Sequence, residues 1–492
     1  MFLGLDLGTT NVKALVVDGD GRVVAEGSAP VERVSTPDGG VEQDVDEIEA
    51  ATLRAVREAA AGTDAARVRA LGVSSQGGAL QCLDALGKPI GRVISWLDSR
   101  GQPFDRQLVE ELGEEFFAEH VGYYGSAIAP GQVLRLQQQS PEVWGRVASL
   151  GFVGDVIVGR LCGRRAHDAT SLSIAFLLNP AVGRADPVLL RRLRLAEEQL
   201  PDLLGPTEPA GRLRQEMAER TGLPAGIPVS AAIHDQYAGS LGAGSVHEGD
   251  VCFGTGTAWV LVANTARLTR PVTRQAIVCP HPVPGIFGQM MSMVNGGSAI
   301  EWVLGLSGRG GLSREEIDAA LESVSPGSDG LCFWPHLVPG LGTDTAASRR
   351  GARICGLTLG HSANHLLRAA VEGLACELAR YLDVLVAGGF AVRRLVMCGK
   401  AAASRVTPQI VADVTGRPVA CVAEAAVSAF GAATVARALV NPAANLAQLA
   451  EKLAPASRTV VPGEHADVYR RLAERFTSQG DSPVFAADRT VP

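Results

Sequence analysis

No apolar run in this chain approaches the ~20 residues that would span a bilayer, so no membrane helix is expected. There is no basic tract either, and with a net charge of −7 a nucleic-acid partner finds little to bind. The nine cysteines sit far apart and form no C-x-x-C pair; most lie in apolar runs such as Val251-Cys252-Phe253 and Leu331-Cys332-Phe333. They read as buried free thiols of a reducing cytoplasm, with no metal role. The N-terminus lacks a basic n-region and enters a strand at once, so no signal peptide is expected. Common catalytic signatures are missing too. No G-x-x-x-x-G-K-[ST] occurs, because Gly399-Lys400 lacks the upstream glycine and the following hydroxyl. Without G-x-G-x-x-G a Rossmann dehydrogenase is unsupported, and G-x-S-x-G and H-E-x-x-H are absent as well.

What is present begins at residue 1. Met1-Phe2-Leu3-Gly4-Leu5-Asp6-Leu7-Gly8-Thr9-Thr10-Asn11-Val12-Lys13 is an apolar strand that delivers one aspartate, turns on Gly8 and two threonines, and resumes as the apolar run Val12 to Val17. That order suits a phosphate-gripping hairpin. The glycine lets backbone N–H groups approach phosphate oxygens, Thr9 and Thr10 add donors, and Asp6 faces a hydrated Mg²⁺. An ordinary hairpin with Asp6 capping a turn fits the same residues. Asp250-Val251-Cys252-Phe253-Gly254-Thr255-Gly256-Thr257-Ala258-Trp259-Val260-Leu261-Val262 repeats the pattern of strand, Gly/Thr turn and strand. Two such turns suggest two related domains, one turn each, on a nucleotide. The length of 492 residues also favours two domains, and 46% hydrophobic with 20% charged residues describes an ordinary globular chain.

Strands alternating with helices indicate α/β architecture. After the first turn, Asp18-Gly19-Asp20-Gly21 reads as a hairpin loop before the strand Arg22 to Glu26. Asp46 to Ala61 reads as an amphipathic helix, with Ile48, Leu53 and Val56 on one face. Val68 to Ser74 and Arg92 to Trp96 read as strands, helices fill Gln102 to about Arg146, and Leu189 to Leu204 reads as another helix. The short apolar strand Ile227 to Ile233 stops at His234-Asp235-Gln236. In the second half the pattern predicts a long helix His365 to Val386, a strand Arg394 to Cys398, a helix Thr407 to Thr415 and a strand Val419 to Val422. Asp481 to Pro492 has no pattern and reads as a loose tail.

The best candidate base is Asp235, at the end of an apolar strand, where α/β folds place ligand clefts. A carboxylate there can accept the proton of an attacking hydroxyl during phosphoryl transfer. Helix N-cap is the competing role, because Gln236 to Leu241 can start a helix. His234 reads as a strand-end histidine or a hydrogen-bond partner. Gln76, Trp96 and Asp98 sit at strand ends and can line a polar pocket, with Trp96 as apolar wall or as core. Glu42-Gln43-Asp44 is either a helix cap or part of the site.

In this order the segments resemble the FGGY carbohydrate kinases, which phosphorylate sugars and polyols, from Leu3 to about Ala436. Gly4-Leu5-Asp6-Leu7-Gly8-Thr9-Thr10 is similar to that family's opening phosphate motif. Val41-Glu42-Gln43-Asp44 resembles its W-x-E-Q-D stretch, and Ile94 to Arg100 its W-x-D-x-R segment. His234-Asp235-Gln236 followed by Gly242-Ala243-Gly244 resembles the catalytic-aspartate region, and Gly254-Thr255-Gly256-Thr257 the second phosphate motif. Gly356 to His361 with Leu366 to Gly373 resembles the C-terminal signature. The resemblance implies an actin-like (ribonuclease H-like) ATPase fold, two α/β domains around a central cleft. Residues 1–245 would form the sugar-binding domain and 246–480 the nucleotide-binding domain, with 481–492 as tail. ATP and Mg²⁺ are the implied cofactors, and the partner is a small sugar or polyol, most like the ketose of the xylulose kinase branch. A cytoplasmic protein is implied, and a homodimer is one assembly such a chain can form. Asp235 carries over as general base, Asp6 and Asp235 as neighbours of the metal, and Gly8, Thr10, Asn11, Lys13, Gly256 and Thr257 as neighbours of phosphate. Gln76, Gly77, Gly78, Trp96, Asp98, Asp235 and Gln236 carry over to the sugar, and Gly399, Lys400, Ala401 and Ser404 to the adenosine loop.

Three departures stand out. Xylulose kinases typically read G-Q-M-H-G where this chain has Ser75-Gln76-Gly77-Gly78-Ala79, so two glycines replace a Met-His pair: either a larger or differently shaped substrate fits there, or the hydroxyl contacts come from elsewhere. The adenosine loop has lost glycines and gained Lys400, which restricts close backbone approach and leaves a sugar-binding protein with impaired catalysis as the alternative. Gln132 stands where the family prefers lysine.

Overall fold

Alternation along the first strand sets the centre of the structure. In Phe2–Leu7 the residues Leu3, Leu5 and Leu7 are buried in one cluster with Val12, Val56 and Ile157. Gly4 and Asp6 therefore face the opposite side. The computed structural model describes residues 1–293, 295–338 and 351–480; the tail expected over 481–492 lies outside the described residues. The chain forms two units. The first comprises Met1–Asp250, Val262–Met290 and Ala426–Pro455, the second Val251–Leu261, Met291–Ala425 and Ala456–Pro492.

The first unit holds a mixed sheet in the order Asp202–Leu203, Ala166–His167, Pro228–His234, Leu71–Ser75, Phe2–Leu7, Asn11–Val17, Val23–Pro30. Its three central strands, Pro228–His234, Leu71–Ser75 and Phe2–Leu7, are parallel, and antiparallel hairpins complete one edge. Helix Val45–Ala61 packs on the hairpin strands, capped by the Asp44 carboxylate on the N–H groups of Asp46 and Glu47. A second, antiparallel sheet runs Val34–Ser35, Val41–Gln43, Pro89–Ile94, Leu80–Leu83, Ser149–Phe152.

On the Gly4 face lies a helix that arrives late in the chain, Val427–Leu439. A Cβ on Gly4 would sit 1.8 Å from the Ala429 carbonyl oxygen, and one on Gly72 1.9 Å from that of Ala432. Only glycine permits helix backbone to rest on sheet backbone this closely. The same helix meets Asp235–Gly242, where a Cβ on Gly431 would lie 1.9 Å from the Ala238 oxygen.

In the second unit the strands follow the order Asp250–Thr255, Arg394–Cys398, Val419–Val422, Ser457–Val460. Helices Ala363–Ala387, Thr407–Thr415 and Ala466–Gly480 pack together. Arg368 and Glu372 tie the first of these to the third through the Tyr469 hydroxyl, all buried.

Most elements form where the pattern predicts them, and Arg394–Cys398 and Thr407–Thr415 match residue for residue. The helix expected over Leu189 to Leu204 is an exception. It is confined to Pro187–Arg192, because Arg194 adopts φ 52, a left-handed conformation that ends it; Glu197–Gln199 then forms one 3₁₀ turn.

Candidate active site

The three central parallel strands of the first unit end level, with Leu7 and His234 both in register with Ser75. Their carboxyl ends present Asp6, Gln76 and Asp235 together, the location at which open α/β sheets hold ligands. Asp6 accepts from the Ser74 hydroxyl at 2.9 Å and lies across from Lys13 on the neighbouring strand. Burial, and then the charge of Asp235, push the Asp6 carboxyl up to about 6. Asp235 is raised to about 6 as well, by burial, against the opposing pull of the Gln236 amide. It nevertheless keeps 26% of its side chain accessible. Asp235 is the first residue of helix Asp235–Gly242 and His234 occupies the N-cap position; the Asp235 carboxylate still meets the Gln236 N–H of the first turn. The Asp235 carbonyl accepts from Ser428 Oγ at 3.0 Å, which ties this helix start to the Val427–Leu439 helix.

Gly8 closes the first turn by donating to the Asn11 carbonyl, while Thr10 and Asn11 stand exposed. Thr9 is held from two sides: its hydroxyl accepts from Trp96 Nε1 at 3.1 Å, its carbonyl from Gln43 Nε2 at 3.0 Å. Gln43 passes the contact on, accepting from Gln76 Nε2 at 3.0 Å. Gln76 Oε1 is buried and has no partner among the described residues. Trp96 is 45% exposed and thus surface, not core. The Glu42-Gln43-Asp44 cluster divides its labour: Asp44 caps a helix, Gln43 props the turn, and Glu42 accepts from Arg100 at 2.6 Å.

Asp98 is turned inward. Its carboxylate accepts from the Val41 N–H, the Arg100 N–H and guanidinium, and Gln132 Nε2, and its side chain has no exposure. Gln132 also accepts from Arg135 Nε at 2.7 Å. An amide can donate to Asp98 and accept from Arg135 at once, which a lysine ammonium cannot; this accounts for glutamine here.

The glycine pair does not open room. A Cβ on Gly77 would lie 2.4 Å from His234 Cδ2 and 2.4 Å from Ile174 Cγ2, and one on Gly78 2.7 Å from Ile128 Cγ2. The expectation of space for a larger substrate at these positions is corrected: the vacated volume is filled by other side chains.

In the second unit Thr255 is the pivot. Its buried hydroxyl donates to the Cys398 carbonyl at 2.7 Å and accepts from the Ala401 N–H at 3.1 Å. The Gly254–Thr257 turn and the Gly399–Ser404 loop are therefore neighbours. Gly399 has φ +89, and a Cβ there would come 3.0 Å from Thr255 Oγ1, so glycine is required twice over. Gly256 and Thr257 are exposed, with their carbonyls taken by the N–H groups of Gly297 and Ser298. Lys400 is exposed and Ala401 half-buried, while Ser404 is buried and donates to Asp318. Ser74, Thr255 as a strut and Ser428 escaped sequence reading, whereas Gln43 was signalled by its polar triplet.

No group of three or more His, Cys, Asp or Glu that could hold a metal ion occurs among the described residues. The donor set still suits Mg²⁺, which takes one or two protein carboxylates and completes its shell with water and phosphate oxygens. Two raised carboxylates, Asp6 and Asp235, would be relieved by a shared cation.

The fold is the actin-like ATPase fold, carried by two α/β units. Residues 1–242 match the N-terminal domain, and residues 250–439 the C-terminal domain, of the FGGY family of carbohydrate kinases. The chain belongs to that family and is a carbohydrate kinase. It is 27% identical over 484 residues to the xylulose kinase of Escherichia coli K12, covering 97% of this chain and 98% of that protein. A glycerol kinase from Alkalilimnicola ehrlichii is 29% identical over 459 residues, 89% of this chain and 90% of its own. The crystal structure of xylulose kinase from Rhodospirillum rubrum superposes with a TM-score of 0.87 at 26% identity, covering 97% and 98% of the two chains.

Proposed function

We propose that the protein transfers the γ-phosphoryl group of Mg·ATP to a hydroxyl of a small ketose or polyol, with a pentulose such as xylulose or ribulose as the best candidate. The observation that carries this reading is Asp235, a carboxylate raised to about 6 at the level end of three parallel strands. A base poised just below neutral pH is mostly ionised in the cell yet basic enough to take a proton as the oxygen attacks. Mg·ATP, when bound, supplies the phosphoryl group and neutralises its developing charge.

Asp235 accepts the hydroxyl proton, and Asp6, held by Ser74, stands on the metal side of the same strand ends. Thr10, Asn11, Lys13, Gly256 and Thr257 are the phosphate neighbours, and Lys400 with Ala401 borders the adenosine. The orphaned Gln76 Oε1 is a ready acceptor for a sugar hydroxyl, and the exposed face of Trp96 a platform for the carbon chain. Asp98, with no free oxygen, supports the loop that carries Trp96.

The test is a panel of pentuloses, hexuloses and polyols incubated with ATP and Mg²⁺, following ADP release. Turnover that depends on one sugar is expected. Hydrolysis at the same rate with and without sugar would refute the reading.

A further inference from the structure

Thr9 lies in the first phosphate turn and is held from two directions, each of which begins at a residue offered to the sugar. From one side Trp96 Nε1 donates to its hydroxyl at 3.1 Å. From the other, Gln76 Nε2 donates to Gln43 Oε1 at 3.0 Å, and Gln43 Nε2 donates to the Thr9 carbonyl at 3.0 Å. Gln43 ends the strand Val41–Gln43 of the antiparallel sheet and has no exposure, whereas Gln76 follows the strand Leu71–Ser75 of the mixed sheet. Gln43 is thus the link by which one sheet reaches the turn carried by the other.

The polarity of this chain is fixed from the Thr9 end. A backbone carbonyl only accepts, so Gln43 turns its Nε2 towards Thr9 and its Oε1 towards Gln76. Gln76 must then turn its Nε2 inward, and its Oε1 becomes the free end. That oxygen is buried and has no partner among the described residues. A buried acceptor left unpaired is unfavourable, yet flipping the Gln76 amide would set oxygen against oxygen at Gln43. The chain is complete only when something donates to Gln76 Oε1, as a sugar hydroxyl does. At the other end the Thr9 hydroxyl, having accepted from Trp96, still has its own hydrogen to give to a phosphate oxygen.

We propose that Gln43 is a positioning residue that couples the sugar site to the phosphate turn. A hydroxyl on Gln76 Oε1 completes the chain, the chain fixes the Thr9 turn, and the turn grips nucleotide phosphate more tightly when sugar is present. The inference rests on the sugar-kinase reading of Gln76 and Trp96 given above.

The test measures affinity, by calorimetry on the full-length protein, for a non-hydrolysable ATP analogue with Mg²⁺. Titrations are run with and without a saturating amount of the sugar that gives the highest turnover in the panel above. In the wild type, sugar is expected to tighten analogue binding ~10-fold or more, within the usual range of coupling between sites. Q43M, of similar length but with nothing to donate, should cut that ratio to ~3-fold or less. The effect of the analogue on sugar affinity should shrink by the same factor, because coupling is reciprocal. A merely propping role would weaken the analogue equally with and without sugar; an unchanged ratio in Q43M therefore overturns the proposal, as does a ratio near one in the wild type. Should Q43M fail to fold, Q76M breaks the same chain one link earlier: a reduced ratio supports the proposal and an unchanged one overturns it. Sugar-dependent turnover with a ratio near one removes only the coupling, whereas turnover with no sugar in the panel removes the functional reading and the coupling with it.

Discussion

Replacing Asp235 by asparagine should slow the enzyme and stabilise the fold, and the stabilisation should depend on pH. The Asp235 carboxyl moves from 3.8 to about 6 on folding. A tenfold change in a protonation equilibrium is worth ~1.4 kcal/mol, so this corresponds to ~3 kcal/mol at most. The 26% of the side chain still open to water reduces it to ~1–2 kcal/mol. The sign follows from the direction. A carboxyl raised in the folded state penalises folding once it ionises, so the penalty is absent below pH 3.8 and complete above about pH 6. The asparagine side chain carries no charge and escapes it, and Asp6 is relieved too because part of its own elevation comes from Asp235. Thermal unfolding of wild type and Asp235→Asn in EDTA, from pH 5 to pH 8, should show a Tm gap that opens with pH to ~1–2 °C at pH 8. Turnover in the same variant should fall at least ~100-fold with sugar binding retained. A gap that is constant with pH, or an asparagine variant less stable throughout, would refute the argument that this carboxylate is held in an unfavourable environment.

Gly4→Val should destabilise the protein by ~3 kcal/mol or more in urea unfolding. The Cβ it adds would lie 1.8 Å from the Ala429 oxygen, whereas Gly19→Ala, with nothing within 4 Å, should be nearly silent. Asp98→Asn should cost ~3 kcal/mol in the same assay by removing the buried charge on which Arg100 and Gln132 converge; Glu42→Gln, at the partly exposed second partner of Arg100, should cost ~1 kcal/mol or less. Thr255→Val removes the strut between the Cys398 carbonyl and the Ala401 N–H. It should raise KM for ATP ~10-fold, the scale of ~1.4 kcal/mol, with KM for the sugar unchanged; steady-state kinetics in both substrates decides.

Local patterns were legible and distant contacts were not. The periodic apolar face from His365 to Val386 announced the helix Ala363–Ala387 almost in full, because length and period leave no alternative. The Gly8 turn and the strand ending at His234 were equally plain. Leu189 to Leu204 failed because a leucine-rich stretch gives no warning that Arg194 will take a left-handed conformation. Gly77 and Gly78 were misread as space for a subtler reason: a glycine in a sequence shows which side chain is missing, never which neighbour has moved in. Asp98 looked like a substrate ligand because its hydrogen-bonding partners come from Val41, Arg100 and Gln132, brought together only by folding.

The arrangement of small residues explains how the candidate base acquires a fixed position. Asp235 begins a helix of only eight residues, too short to hold itself in water. Its support comes from Val427–Leu439, 193 residues away along the chain at the Ser428–Asp235 bond. That helix can approach because Gly4, Gly72, Gly242 and Gly431 each yield the space of a side chain where two backbones meet. The helix rests on the strand bearing Asp6 through the backbone of Ala429 and Ala433, and on the helix bearing Asp235 through Val427, Ser428 and Gly431. Asp6 and Asp235 are thus referenced to one rigid element rather than to each other, and two carboxylates that repel across a strand end stay where chemistry needs them.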